Sequence, residues 1–368
     1  MKSLLASLLL LLICSCQSGK RQASHDTSAS GDTIRMKYSR LLTMVRHDHY
    51  TLVHIANPWR KGTILHSYVL TDSSYRGDLP DATRLNIPLR RMALFSTVQT
   101  SLMVDLGRSS SIAAVADRKY IKTPLPEGIA DVGDSMNPDI ERLMSTCADA
   151  LFVSPFQNSG GYGKVGEIGI PVVECADYME PSPLARAEWI RFYGMLVGAE
   201  QKAEEWFQHV DSSYQSLKSI AAKASSHPKV NMDKMTGNVW YVPGGKSTIG
   251  HMISDAGIRY PFADDQSAGS LSLSLESVME HAADAPLWLF RYDQPHDITY
   301  AELASEHRAY NLFDAFRHRN CYGCNVMTTR FYEETPFRPD LLLNDFIVMA
   351  HPEIDQLKPL RYFKKVRE

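Results

Sequence analysis

The chain has 368 residues, 44% hydrophobic and 22% charged, with a formal net charge of −3. Mixed signs with no basic excess argue against a nucleic-acid partner. Beyond the extreme N-terminus no apolar run approaches the ~18 residues that a membrane-spanning helix needs. The stretch after residue 33 is longer than the ~250–300 residues at which a single core usually stops growing, so two lobes are expected.

In chain order, Lys2 gives a charged start, and residues 4–13 form an apolar run too short to span a bilayer comfortably. It ends in Ile13-Cys14-Ser15-Cys16, which resembles the bacterial lipobox: cleavage discards Cys14 and lipid is attached to Cys16. Residues 17–33, polar and rich in Ser, have little to bury and read as a flexible tether. An N-terminal α/β lobe is assigned to residues 34–182, connecting helices to 183–226 and a C-terminal α/β lobe to 227–368.

Within the first lobe, residues 51–57 and 63–70 alternate around Pro58-Trp59-Arg60-Lys61-Gly62 and predict an extra β-hairpin. Short apolar runs at 111–116, 150–154 and 171–175, separated by helical stretches, predict buried parallel strands. Ser182-Pro183 opens a helix on which Trp189, Phe192, Tyr193 and Leu196 share a face, with Gly198 ending or bending it. Ala203, Trp206, Phe207, Val210, Tyr214, Leu217 and Ile220 then recur at three- and four-residue spacing, predicting a long stiff helix to about Ala224. His227-Pro228 breaks it, and strands at 238–242 and 286–290 begin the second lobe.

Val132-Gly133-Asp134-Ser135-Met136-Asn137-Pro138-Asp139-Ile140-Glu141-Arg142-Leu143, followed by Ala148 to Val153, is similar in order and spacing to the type III periplasmic binding proteins that serve ABC importers of cobalamin, ferric siderophores and haem. Residues 111–117 with Tyr120, 183–190 and 275–278 extend the resemblance to roughly residues 98–352. It departs at Ala116-Asp117, where the family usually has two glycines, and at Cys321-Tyr322-Gly323-Cys324.

The resemblance implies two Rossmann-like lobes joined by a long rigid helix. It also implies a binding protein with no enzymatic activity and no covalent cofactor, monomeric and periplasmic, working with a permease dimer and its ATPase. The ligand would be a ferric siderophore, a corrinoid or haem. For the N-lobe, Tyr120, Asp134, Ser135, Met136, Phe156, Gln157 and Tyr162, the last in a Gly-rich loop, are the candidate ligand contacts. For the C-lobe they are Trp240, Tyr241, Ser270, Ser272, Arg291, Arg330 and Phe331. Glu141 and Glu276 stand where the family places one exposed carboxylate per lobe for docking to permease arginines.

Other motifs carry less. His47-Asp48-His49, if in a strand, would aim two imidazoles one way, but no third metal ligand is evident. Cys321 and Cys324 lack a second ligand pair or a thioredoxin-like setting. Gly244-Gly245-Lys246-Ser247-Thr248 fails the phosphate-loop pattern, because Trp240 stands where the first glycine belongs, and it reads as a turn after a strand. The alternatives to an importer component are a haem-binding protein, a chelatase-like enzyme using a pair such as His251 and Glu276, and a surface haemophore or adhesion module without a transporter.

Overall fold

The computed structural model describes residues 31–156 and 161–368; Cys16, most of the expected tether and Gln157 lie outside them. The predicted hairpin is the middle of a larger front sheet of five strands, Asp32–Ile34, Leu42–Arg46, Tyr50–Ala56, Ile64–Thr71 and Thr83–Asn86, in that order. The pairs are antiparallel until the last, which runs parallel to Ile64–Thr71. Along Tyr50–Ala56 the buried positions Thr51, Val53 and Ile55 alternate with partly exposed ones, as expected of a sheet with one covered face.

A wholly parallel sheet comes next, in the order Val172–Glu174, Ala150–Val153, Met92–Leu94, Ile112–Val115, Ala130–Asp131. Its strands are apolar at successive positions because both faces are covered. Ala93, Ala114 and Leu151 pack into one cluster, and Met92, Leu94, Val115 and Phe152 into another. The outward groups of the edge strand are met by the front sheet: the Tyr68 hydroxyl donates to Val172 O at 3.1 Å and accepts from Glu174 N at 2.8 Å.

The connection is a chain of three helices, Pro183–Glu188, Ile190–Leu196 and Glu200–Ala221. Ser182 Oγ caps the first by accepting from Ala185 N, with proline in the first turn. Gly198, at φ +64°, makes the turn into the third, and a Cβ on Gly194 would stand 2.4 Å from that of Ala203, so glycine allows the close crossing. The third helix has 22 residues, a rod of about 33 Å. Glu188, wholly buried, accepts from the backbone N–H groups of Lys37, Tyr38 and Ser39 at 2.7, 2.8 and 2.8 Å and so ties the start of the front sheet to the connector.

The C-lobe sheet carries parallel strands Val230–Met232, Leu287–Tyr292 and Cys321–Asn325, closed by antiparallel Lys364–Lys365. Beside it an antiparallel ribbon, Met235–Thr236, Val239–Pro243 and Ser270–Leu273, packs on an aromatic cluster of Trp240, Trp288, Tyr310 and Phe313. One apolar core runs from the front sheet through the connector into the C-lobe, including Met44, Tyr68, Phe192, Phe207, Leu289 and Phe346. No described helix is long and apolar enough to cross a membrane.

Candidate functional site

The groove between the lobes starts where parallel strands end, which is where α/β sheets expose loops to ligands. In the N-lobe, Gly133–Asp134 pairs with Asn137–Pro138 in a small hairpin that carries Ser135 and Met136 at its tip. Gly133 has φ +83°, a conformation that favours glycine, and Asp134 Oδ1 accepts from Met136 N at 2.8 Å. Met136 is thereby held 76% exposed, against a cavity of 420 Å³ walled by Phe95, Pro138, Ile140, Phe156 and Tyr162. The Tyr162 hydroxyl donates to Glu174 Oε2, whose other oxygen lies 3.7 Å from His66 Nδ1. Burial first, and then this hydrogen bond, raise the Tyr162 phenol well above its ordinary value, so it stays protonated.

Three further cavities share lining residues with the first or with one another. Ser154 also lines one of 190 Å³ that includes Ser96, Gln99, Asp177 and Tyr178. Val98 and Arg186 line both that one and one of 240 Å³ that includes Met252, Arg291, Phe331 and Tyr332. Arg291 and Tyr332 also line the last, of 300 Å³, with Asp233, Lys234 and Tyr241. A polar cross-brace closes the lobes beside it. Arg330 Nη2 reaches Ser101 Oγ at 2.5 Å and Asp105 Oδ2 at 2.6 Å, and Glu333 accepts from Lys122 N at 2.5 Å and Thr123 Oγ1 at 2.6 Å.

Of the residues expected from sequence, Ser135, Met136, Phe156 and Tyr162 line the first cavity, and Tyr241, Arg291 and Phe331 the last two. Asp134 shapes the turn and lines none of them, and Tyr120 is 58% exposed under the Lys119 ammonium, away from all four. Ser272 stands opposite Tyr241 and Ser270 opposite Pro243, exposed on the ribbon but outside the cavity walls. One expectation is corrected. Trp240 is fully buried, donating to Met232 O at 2.9 Å and packed on Trp288 and Phe313, because alternation turns it inward and Tyr241 outward. Arg330 lines none of the four cavities and pairs with Asp105 in the cross-brace.

Sequence reasoning missed Phe95, Arg186 and Tyr332. Only Tyr332 had a local signal, as the aromatic next to Phe331.

Glu141 and Glu276 are exposed in the first turns of Ile140–Ser145 and Leu275–Ala282. The Glu276 carboxyl is held below its usual range by its own backbone N–H and by Ser274.

Cys147, Cys175, Cys321 and Cys324 are free. Cys321 and Cys324 point into different clusters from one strand, and burial pushes both thiols up to about 12. His47 stacks on Tyr50 and His49 on Tyr75, and the described residues contain no group of three potential metal ligands. Gly244 and Gly245 form a packed turn, with Ser247 capping Thr248–Asp255. His251 and Glu276, the imagined chelatase pair, sit on two helices of the same lobe.

Residues 93–325 match the family model described as periplasmic binding protein. An uncharacterized lipoprotein of Methanocaldococcus jannaschii is 26% identical over 297 residues, covering 76% of this chain and 70% of the relative. Among solved structures, a periplasmic heme binding protein from Pseudomonas aeruginosa superposes with a TM-score of 0.58 at 16% identity, covering 76% of this chain and 99% of that one. The periplasmic vitamin B12 binding protein of Vibrio cholerae gives 0.54 at 14% identity, covering 73% and 99%. At such identities the likeness shows the fold alone, but the family match spans more than half of the sequence. The chain therefore belongs to the periplasmic binding protein family, in its type III form of two α/β lobes joined by a long helix.

Proposed function

We propose that this chain is the substrate-binding lipoprotein of an ABC importer, anchored through Cys16 on the periplasmic side. In this reading it captures a metal chelate of the ferric siderophore, corrinoid or haem class and presents it to a permease dimer through Glu141 and Glu276. The observation that supports the reading is a set of four cavities that share lining residues in series, from Met136 and Tyr162 to Tyr241 and Tyr332, apolar and aromatic at one end and richer in charged groups at the other. Such a lining suits a broad apolar guest with polar edges. The stiff connector and the Arg330–Asp105 brace favour a preformed slot over hinge closure.

The test is to titrate lipid-free protein with haemin, cyanocobalamin and ferrioxamine B, following tryptophan fluorescence and the chelate's absorption. Saturable binding of one of them at one per chain supports the proposal. Absence of binding by all three, together with a colourless protein from the native host, refutes it.

A further inference from the structure

Glu174, buried at the end of the N-lobe edge strand Val172–Glu174, is reached from two sides. From the N-lobe, the Tyr162 hydroxyl donates to its Oε2, and this is the only hydrogen bond of the Tyr162 side chain among the described residues. Tyr162 walls the 420 Å³ cavity and sits between Gly161 at φ +98° and Gly163 at φ +53°, so the backbone around it imposes little on the ring. From the front sheet, His66 Nδ1 lies 3.7 Å from Glu174 Oε1. The imidazole is itself fixed, with Nε2 2.7 Å from Thr83 Oγ1 and its ring stacked on Tyr68 at 4.5 Å. Tyr68 in turn accepts from Glu174 N at 2.8 Å. The front sheet, residues 32–86, lies outside the family-matched segment 93–325, so one carboxylate links that addition to the cavity wall.

The surroundings leave this carboxylate with one titrating neighbour. Burial raises Glu174 and lowers His66, which brings their proton affinities together. Tyr68, Tyr162, Tyr178 and Cys175, all raised by burial, stay neutral around it, and Asp177 beyond Cys175 is paired with Arg186 at 3.0 Å. Lys164, exposed on the cavity wall, pairs with neither Glu174 nor His66 among the described residues. An ionised carboxylate only accepts and so holds the phenol in one arrangement, whereas a protonated one weakens that bond. With Nε2 turned to Thr83, Nδ1 is the atom that faces the carboxylate and receives the incoming proton.

We propose that Glu174 positions Tyr162 as a fixed wall of the ligand cavity, and that His66, by taking up a proton beside it, keeps the carboxylate charged in a mildly acid medium. This rests on the chelate-binding reading for what fills the cavity, but not for the anchoring itself.

The experiment follows lipid-free protein labelled with carbon-13 at the tyrosine ζ and glutamate δ carbons from about pH 8 to about pH 4. Tyr162→Phe and Glu174→Gln assign the two signals. In wild-type protein the Glu174 and Tyr162 signals should move together with a shared midpoint. In His66→Gln that midpoint should rise by at least about one pH unit, because the cation that held the carboxylate ionised is gone. In Glu174→Gln the Tyr162 signal should be flat throughout. Separate midpoints in wild-type protein, or a Tyr162 signal that keeps its pH dependence in Glu174→Gln, overturn the anchoring; a midpoint unmoved or lowered in His66→Gln overturns the role of His66. Affinity for whichever of haemin, cyanocobalamin and ferrioxamine B wild-type protein binds should fall about tenfold in Glu174→Gln, and unchanged affinity removes Tyr162 from the chelate's wall. Failure of all three to bind refutes chelate capture, while the carbon-13 signals still decide the anchoring.

Discussion

Arg330 Nη2 lies 2.6 Å from Asp105 Oδ2, so a side chain at the mouth of the C-lobe helix Phe331–Glu334 closes on the N-lobe helix Thr97–Asp105. Three residues further on, Glu333 is 4% exposed and serves Lys122 N and Thr123 Oγ1. Glu333→Ala leaves two donors in the lobe boundary without their acceptor and should cost about 2–4 kcal/mol. Arg330→Met, at a partly exposed pair, should cost about 1 kcal/mol. Urea midpoints check the ranking, and amide exchange should rise around residues 97–105 and 118–123 in the Glu333 variant.

Glu188 presents a second buried carboxylate, with three backbone donors from residues 37–39 and Arg191 3.3 Å away. Glu188→Ala should destabilise by about 2–4 kcal/mol, by stranding those N–H groups, while Arg191 keeps Glu204 at 2.6 Å. Early protease cleavage around residues 37–39, between the first two strands of the front sheet, is the expected signature, and a thermal midpoint equal to wild type would contradict it.

Asp345, wholly buried in Pro339–Ala350, is pushed up to about 6 by burial, against three backbone donors from Arg361, Tyr362 and Phe363. Because the folded value exceeds the unfolded one of about 4, the native state holds the extra proton between these limits. Its stabilising effect is complete below about pH 4 and is lost as pH rises to about 6, a change of about 3 kcal/mol. Asp345→Asn should flatten this part of the stability profile in urea titrations across that window. An unchanged slope would remove the assignment.

The docking role proposed for Glu141 and Glu276 has its own expected outcome. Glu141→Lys combined with Glu276→Lys should leave chelate affinity within about twofold of wild type while cutting uptake by at least about tenfold, since exposed charge pairs govern orientation and encounter. Weakened chelate binding in the double variant would place these carboxylates in the groove instead.

The parallel strands Ile112–Val115, Ala150–Val153, Val172–Glu174 and Leu287–Tyr292 were legible because covering both faces demands unbroken apolar runs, and the connector because Ser182-Pro183 and the spacing from Ala203 to Ile220 are local signals; Met92–Leu94, Ala130–Asp131, Val230–Met232 and Cys321–Asn325, short or interrupted by polar residues, were not. The remainder of the front sheet was not, since Thr83–Asn86 is short and polar and joins only by pairing alongside Ile64–Thr71. Period-two alternation places Trp240 and Tyr241 on opposite faces without saying which face is inside. Arg330 and Arg186 took their roles from acids elsewhere in the fold. Asp105 is 225 positions from Arg330, and Asp177, though only nine from Arg186, is aimed by Gln99.

The hydroxyl of Tyr68 occupies the two outward backbone groups of Val172–Glu174, at the rim of the parallel sheet. A chain begun at Met92, retaining the whole family-matched segment, would bare that rim together with the apolar ground beneath Met44 and Val53. An uncovered rim of this kind recruits strands from other copies. In this molecule the shared family segment is thus no detachable module, and shortening it from the front should yield aggregates in place of a smaller binder.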